Sequence, residues 1–272
     1  MPSAGMILVH VLLLAGVVVM ITPFLYMIST SFKTMNDVFT VPVQWIPRTL
    51  EWHNFVDGWQ AQPFGRYFFN SVFVATAVTM LNLITCSLAA YSFAKFRYVF
   101  RGLFFSLVLM TLMVPYVALI VPLFLVVRDL GWVNSYVGLI VPAGTSAFGI
   151  FLLRQHMLSI PDELLASARI DGASEPRIYW QVILPLSRNA LSALAIFIFT
   201  WNWDSFLWPL LVVQSESLRT LPLGIASFNS SYSTNYPELM AVALLAMLPV
   251  LTLFLLMQRN FIEAMTLSGV KG

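Results

Sequence analysis

The chain has 272 residues, of which 59% are hydrophobic and only 10% charged, against about 25% charged in an ordinary soluble domain. Mean hydropathy is +0.84, so a water-soluble enzyme is excluded and an all-α integral membrane protein is expected. The formal charge of +2 has no clustered basic face behind it, which argues against nucleic acid as a partner. A single cysteine, Cys86, excludes an intrachain disulfide framework and a Cys-based metal centre.

Crossing a bilayer takes about 20 apolar residues in helical form. Six stretches qualify, at about Met6–Ser29, Tyr67–Phe93, Leu103–Val127, Tyr136–Leu153, Ala190–Val213 and Leu239–Met257. The first lacks a basic flank and a clear small-residue cleavage site, and it is too long for a signal-peptide core, so it reads as a retained helix. Lys and Arg divide nine to five between the two sides. Lys95, Arg97, Arg101, Arg154, Arg169, Arg177, Arg188, Arg259 and Lys271 stand against Lys33, Arg48, Arg66, Arg128 and Arg219. The richer side is expected to be cytoplasmic, and six spans then put both termini there.

Three extramembrane segments follow. Residues 30–66 form an external segment carrying Trp45, Trp52 and Trp59; it reads as an interfacial cap or as a docking surface, and composition favours the cap. Residues 214–238 form a polar external connector. Residues 154–188 form a cytosolic elbow between the fourth and fifth spans. In the elbow, Ser159 is a candidate helix cap, with Pro161, Asp162 and Glu163 in the first turn. Leu164, Leu165, Ala168 and Ile170 give the short helix an apolar side, and Gly172 stops it. Ile178, Tyr179, Val182 and Ile183 mark a second helical piece before Pro185. Such an apolar side packs on the chain's own spans or fills a groove on a partner.

No phosphate-binding GxxxxGK[ST] loop is present, and His10, His53 and His156 form no metal pair. No nucleophile–base set can be assigned, so the chain reads as no enzyme in its own right, with no metal and no cofactor of its own. Of the charged residues only Asp204 sits well inside a predicted span. That poverty disfavours coupling to an ion gradient. The fifth span concentrates Trp201, Asn202, Trp203, Asp204 and Trp208 ahead of Pro209. Aromatic faces beside hydrogen-bonding groups suit a sugar ring in a solute path; an interfacial aromatic belt is the plainer explanation. Asn70 and Asn82 are expected to bond between helices.

The elbow sequence Asp171-Gly172-Ala173, then Tyr179, then Ile183-Leu184-Pro185 resembles the EAA loop of permease subunits in bacterial ABC importers. Ser31-Phe32-Lys33, Trp45-Ile46-Pro47, Asn70-Ser71, Ala89-Ala90-Tyr91, Met113-Val114-Pro115, Leu152-Leu153-Arg154-Gln155 and the tail Gly269-Val270-Lys271-Gly272 are similar to the carbohydrate group of the maltose/glycerol-phosphate type.

The resemblance implies a type I importer permease of six spans in the bacterial inner membrane, one domain from end to end. It would form half of a pathway for a sugar or sugar derivative. Its partners would be a second, different permease, two P-loop ATPase subunits that bind ATP and magnesium, and an extracytoplasmic solute-binding protein. Ala168, Asp171, Gly172 and Tyr179 would contact an ATPase, within a coupling set completed by Glu163, Ala166, Arg169, Ala173 and Pro185. Gly269 to Gly272 would lie near the ATPase dimer interface.

Two departures stand out: Ala166 replaces the family's usual glutamate, and Asp204 is shifted by one position from the usual acid. The alternatives are a gradient-driven carrier using Asp204 and a non-transporting scaffold.

Overall fold

In the computed structural model, residues 4–228 and 235–269 are described, with side chains given for residues 5–228 and 235–256. All regular structure among them is helical. The helices are α1 (Ala4–Ser31), α2 (Met35–Val38), α3 (His53–Gln60), α4 (Phe64–Lys95), α5 (Arg101–Thr111), α6 (Tyr116–Asp129), α7 (Tyr136–Ile140) and α8 (Ala147–Leu158). The elbow adds α9 (Asp162–Ile170), α10 (Glu175–Ile178) and α11 (Leu184–Leu186), the last two joined by a π-helical turn over Tyr179–Ile183. Then follow α12 (Arg188–Trp203), α13 (Leu207–Val212), α14 (Leu221–Ser227) and α15 (Tyr236–Gly269).

Among the described residues three helices, α1, α4 and α15, are each long and apolar enough to cross a membrane. The remaining apolar length lies in bent pairs. The axes of α5 and α6 differ by 101° and those of the α7 and α8 segments by 42°. The expected third span is therefore two helices. Pro115 supplies no backbone N–H and stands at the N-cap of α6, where that missing donor costs nothing. The expected fifth span is also broken: α12 stops at Trp203, Asp204 and Ser205 are non-helical, and α13 restarts at Leu207. Hydropathy windows register apolar length and are blind to such breaks.

The chain forms two compact units, one of residues up to Gly65 with Leu223–Pro249, the other of Arg66–Pro222 with the chain from Val250. In the first, the end of α1 is tied to the external segment. The Asn54 amide donates to the carbonyls of Ser31 and Lys33 at 3.0 and 2.9 Å. Phe32 packs edge-on against Trp52, with ring centroids 4.8 Å apart. Lys33 is buried with its ammonium 5.2 Å from the centre of the Tyr26 ring, and burial holds its pKa below the usual lysine range. Most of α1 leaves its side chains exposed, Leu14 and Met20 among them, as a lipid-facing helix does.

The second unit holds a core of Val78, Cys86, Leu153, Met157, Ile178, Ile183, Leu194 and Val212 with their neighbours. Small residues let its helices close up: a Cβ on Gly149 would meet the Cys86 sulfur at 2.9 Å and Leu194 Cδ1 at 3.0 Å. The two asparagines bond between helices as expected. Asn82 Nδ2 reaches the Ala143 carbonyl at 2.6 Å. Asn70 Nδ2 donates to the carbonyls of Ser217 and Arg219 at 2.9 and 2.8 Å, and its Oδ1 accepts from the Tyr136 hydroxyl at 2.7 Å.

Candidate coupling elbow and solute path

The elbow begins where α8 ends. Ser159 does not cap α9: it closes α8, its hydroxyl returning to the His156 carbonyl at 2.7 Å. Pro161 occupies the N-cap of α9 instead. Asp162 and Glu163 follow in the first turn, where the helix dipole favours negative charge. Gly172 ends the helix at φ +79°. The Ala173 amide closes the turn onto the Ala168 carbonyl at 2.9 Å, so the chain reverses through a left-handed residue that glycine adopts without strain.

The faces of α9 divide cleanly. Leu165 is buried and Ala168 half-buried, on the side toward the bundle. Glu163, Leu164, Ala166, Arg169 and Ile170 are exposed, Ile170 at 86%. Past the turn, Asp171 and Gly172 are exposed and Ala173 is half-buried. Pro185 and Trp180 are also exposed, the latter at 64%. Tyr179 is different. It is buried, and its hydroxyl lies 2.7 Å from the Ser87 hydroxyl on α4. Its side chain is spent inside the chain and is not offered to a partner.

Charge fixes the elbow further. Lys95 Nζ donates to Asp162 Oδ1 at 2.7 Å and to the Ile160 carbonyl. Arg169 Nε donates to Glu175 Oε1 at 2.7 Å, and the Tyr91 hydroxyl donates to Glu175 Oε2 at 2.8 Å. The Lys95 hydrogen bond holds the Asp162 carboxyl below the usual range. The Arg169 hydrogen bond does the same to Glu175, and Glu175 in turn raises Arg169. Arg169, which the resemblance places in the coupling set, also belongs to this chain of partners, which the sequence does not indicate.

The five aromatic and polar residues expected in the solute path do not share one environment. Trp203 and Trp208 are buried. Trp203 packs edge-on against Phe68 at 5.7 Å, and Trp208 Nε1 donates to the Gly138 carbonyl at 3.0 Å. Those two are core residues. Trp201 is 52% exposed beside Phe148 and Phe197. Asn202 is half-buried, with its amide on the Ile198 carbonyl at 2.8 Å. Asp204 is exposed at the helix break. Gly269 ends the backbone of α15, while Val270, Lys271 and Gly272 lie outside the described residues.

Residues 82–267 match the family described as "Binding-protein-dependent transport system inner membrane component". The chain belongs to this family. Among the relatives of this permease is the sn-glycerol-3-phosphate transport system permease protein UgpE of Yersinia enterocolitica, 37% identical over 264 residues, 94% of each chain. The arabinooligosaccharides transport system permease protein AraQ of Halalkalibacterium halodurans is 36% identical, over 92% of this chain and 91% of that one. The lactose transport system permease protein LacG of Rhizobium radiobacter is 35% identical over the same shares. In fold, the permease is similar to a chain of a bacterial ABC transporter that imports the polysaccharide alginate, with a TM-score of 0.85 at 23% identity, covering 94% of this chain and 95% of that one.

Proposed function

We propose that this permease is one half of the pathway of an ATP-driven importer for a sugar or sugar derivative. The observation that carries the reading is α9, a short helix anchored by Leu165 and displaying Leu164 and Ile170 outward. An exposed apolar side on an otherwise anchored helix suits a groove on another protein. An ATPase subunit would take α9 in such a groove, with Glu163, Ala166, Asp171 and Gly172 at its rim. A second, different permease would complete the pathway, and each permease would engage one of two ATPase subunits that bind ATP and magnesium. An extracytoplasmic binding protein would deliver the solute; a similar fold occurs in an alginate transporter complexed with a periplasmic protein bound to an alginate pentasaccharide. We read the whole chain as one permease domain of six spans, with α5–α6, α7–α8 and α12–α13 counting as one each, both termini cytoplasmic and the last four residues near the ATPase pair. Trp201, Asn202 and Asp204 are the residues we assign to the solute path: the Trp201 ring and the Asp204 carboxylate are exposed at the helix break, and Asn202, its amide nitrogen held by the Ile198 carbonyl, lies between them in sequence.

The test is uptake into vesicles holding the permease with its genomic neighbours. ATP trapped inside should drive uptake with the proton gradient collapsed, and Ile170→Asp should abolish it. Uptake that follows the gradient without ATP, and that Asp204→Asn abolishes, would establish the carrier alternative instead.

A further inference from the structure

Ser87, Tyr91 and Lys95 recur every four residues along α4, and residues four apart share a helix face. Each holds a different point of the elbow. Lys95 takes Asp162 and the Ile160 carbonyl, where α9 begins. Tyr91 takes Glu175, which in turn holds Arg169 in the last turn of α9. Ser87 takes Tyr179 at the start of the π-helical turn. Tyr91 and Ser87 are buried, and the Lys95 side chain is only 3% exposed; the Ser87–Tyr179 bond forms away from competing water, while the Asp162 side chain is 79% exposed, so the Lys95 end of the stripe meets solvent. The elbow is thus gripped at both ends of α9 by a helix remote from it in sequence.

We infer that this stripe is the latch that transmits movement of α9 to α4. The sequence connects α9 to the spans on either side of the elbow, α8 and α12. The polar bonds attach it to α4 as well at three points, and a hydrogen-bonded network joined to packed side chains is a physical route for coupling between elements. Ser87, Tyr91 and Lys95 are therefore positioning residues. They touch neither solute nor nucleotide, and they fix how far α4 follows the elbow. Glu175 joins the two halves of the latch, because its two carboxylate oxygens serve Tyr91 and Arg169 separately.

This inference rests on the importer reading, and its test separates the two. The assembled importer, with its own ATPases, second permease and binding protein, is reconstituted, and solute moved per ATP hydrolysed is measured beside complex yield and thermal midpoint. Tyr91→Phe removes one hydroxyl and Lys95→Met removes one ammonium. Each should lower the transport-to-hydrolysis ratio at least about fivefold, the lower end of coupling between sites, with yield and midpoint near those of the parent. Lys95→Glu should lose the ratio, and adding Asp162→Lys should recover much of it. A ratio equal to the parent's in both Tyr91→Phe and Lys95→Met would overturn the latch. So would losses that track yield or midpoint alone, since the stripe would then be merely structural. If the unaltered importer moved no solute on ATP, the importer reading would fall first, and the latch with it.

Discussion

Gly172 shows what one residue dictates. Its φ of +79° is left-handed, and a Cβ built there meets nothing within 4 Å. The penalty of a side chain is thus conformational, not steric, and is on the order of 1–2 kcal/mol for an L-residue. Gly172→Val should lower the thermal midpoint measurably, and Gly172→Asn should lower it less, because Asn tolerates this region; equal midpoints for the two would contradict the turn. Asn70 is the stronger case. Three bonds converge on its side chain, and Asn70→Ala strands two carbonyls and the Tyr136 hydroxyl. A loss of about 2–4 kcal/mol is expected from unsatisfied buried groups, read from denaturant unfolding in detergent. The value of Gly172 and of both asparagines was legible in sequence, since a stop signal and an amide in an apolar run each have few uses. The roles of Trp203 and Trp208 were not. A tryptophan in an apolar helix looks the same whether it lines a path or fills the core, and only the Gly138 carbonyl and the Phe68 ring tell them apart.

At the scale of elements, the elbow is a helix held by charge. Both Asp162 and Glu175 lie below their ordinary pKa values because of cationic partners. A carboxyl lowered by folding contributes stability above its unfolded pKa and loses it as pH falls through the folded one. Unfolded values are about 3.9 for Asp and 4.3 for Glu. The attachments should therefore be constant from pH 8 to about 5 and loosen only in stronger acid. Limited proteolysis of the elbow across that range checks the sign; cleavage rising between pH 7 and 6 would contradict it. The sequence placed the end of α9 closely, through Gly172, but set its cap at Ser159, two residues before the observed cap at Pro161. It did not show that α5 and α6 are separate helices or that α12 ends at Trp203. Apolar composition continues through the first break, where a proline cap interrupts the backbone; at the second, Asp204-Ser205 interrupt helix and apolar run together, within a stretch still hydrophobic enough overall to read as one span. The expected cap at Ser159 failed because that residue still belongs to the end of α8, in right-handed helical backbone, and α9 begins only after Pro161.

For the whole molecule, composition alone placed the chain in a membrane, and the motif order along it pointed to the family to which it belongs. What composition could not reveal was the internal wiring. Hydrogen bonds such as Tyr91 to Glu175 join residues 84 positions apart, and no local pattern announces a partner at that distance. The proposed importer makes one demand above all others: work enters through α9 from a partner that hydrolyses ATP. Ile170, 86% exposed on that helix, is the natural probe, because its loss disturbs no packing within the chain. The decisive measurement is ATP-driven uptake by the reconstituted complex, parent against Ile170→Asp, with the proton gradient collapsed. The account predicts robust uptake by the parent and loss of uptake in the variant, together with weakened retention of the ATPase. Uptake by the variant equal to the parent's, or uptake by the parent that needs no ATP, would contradict it.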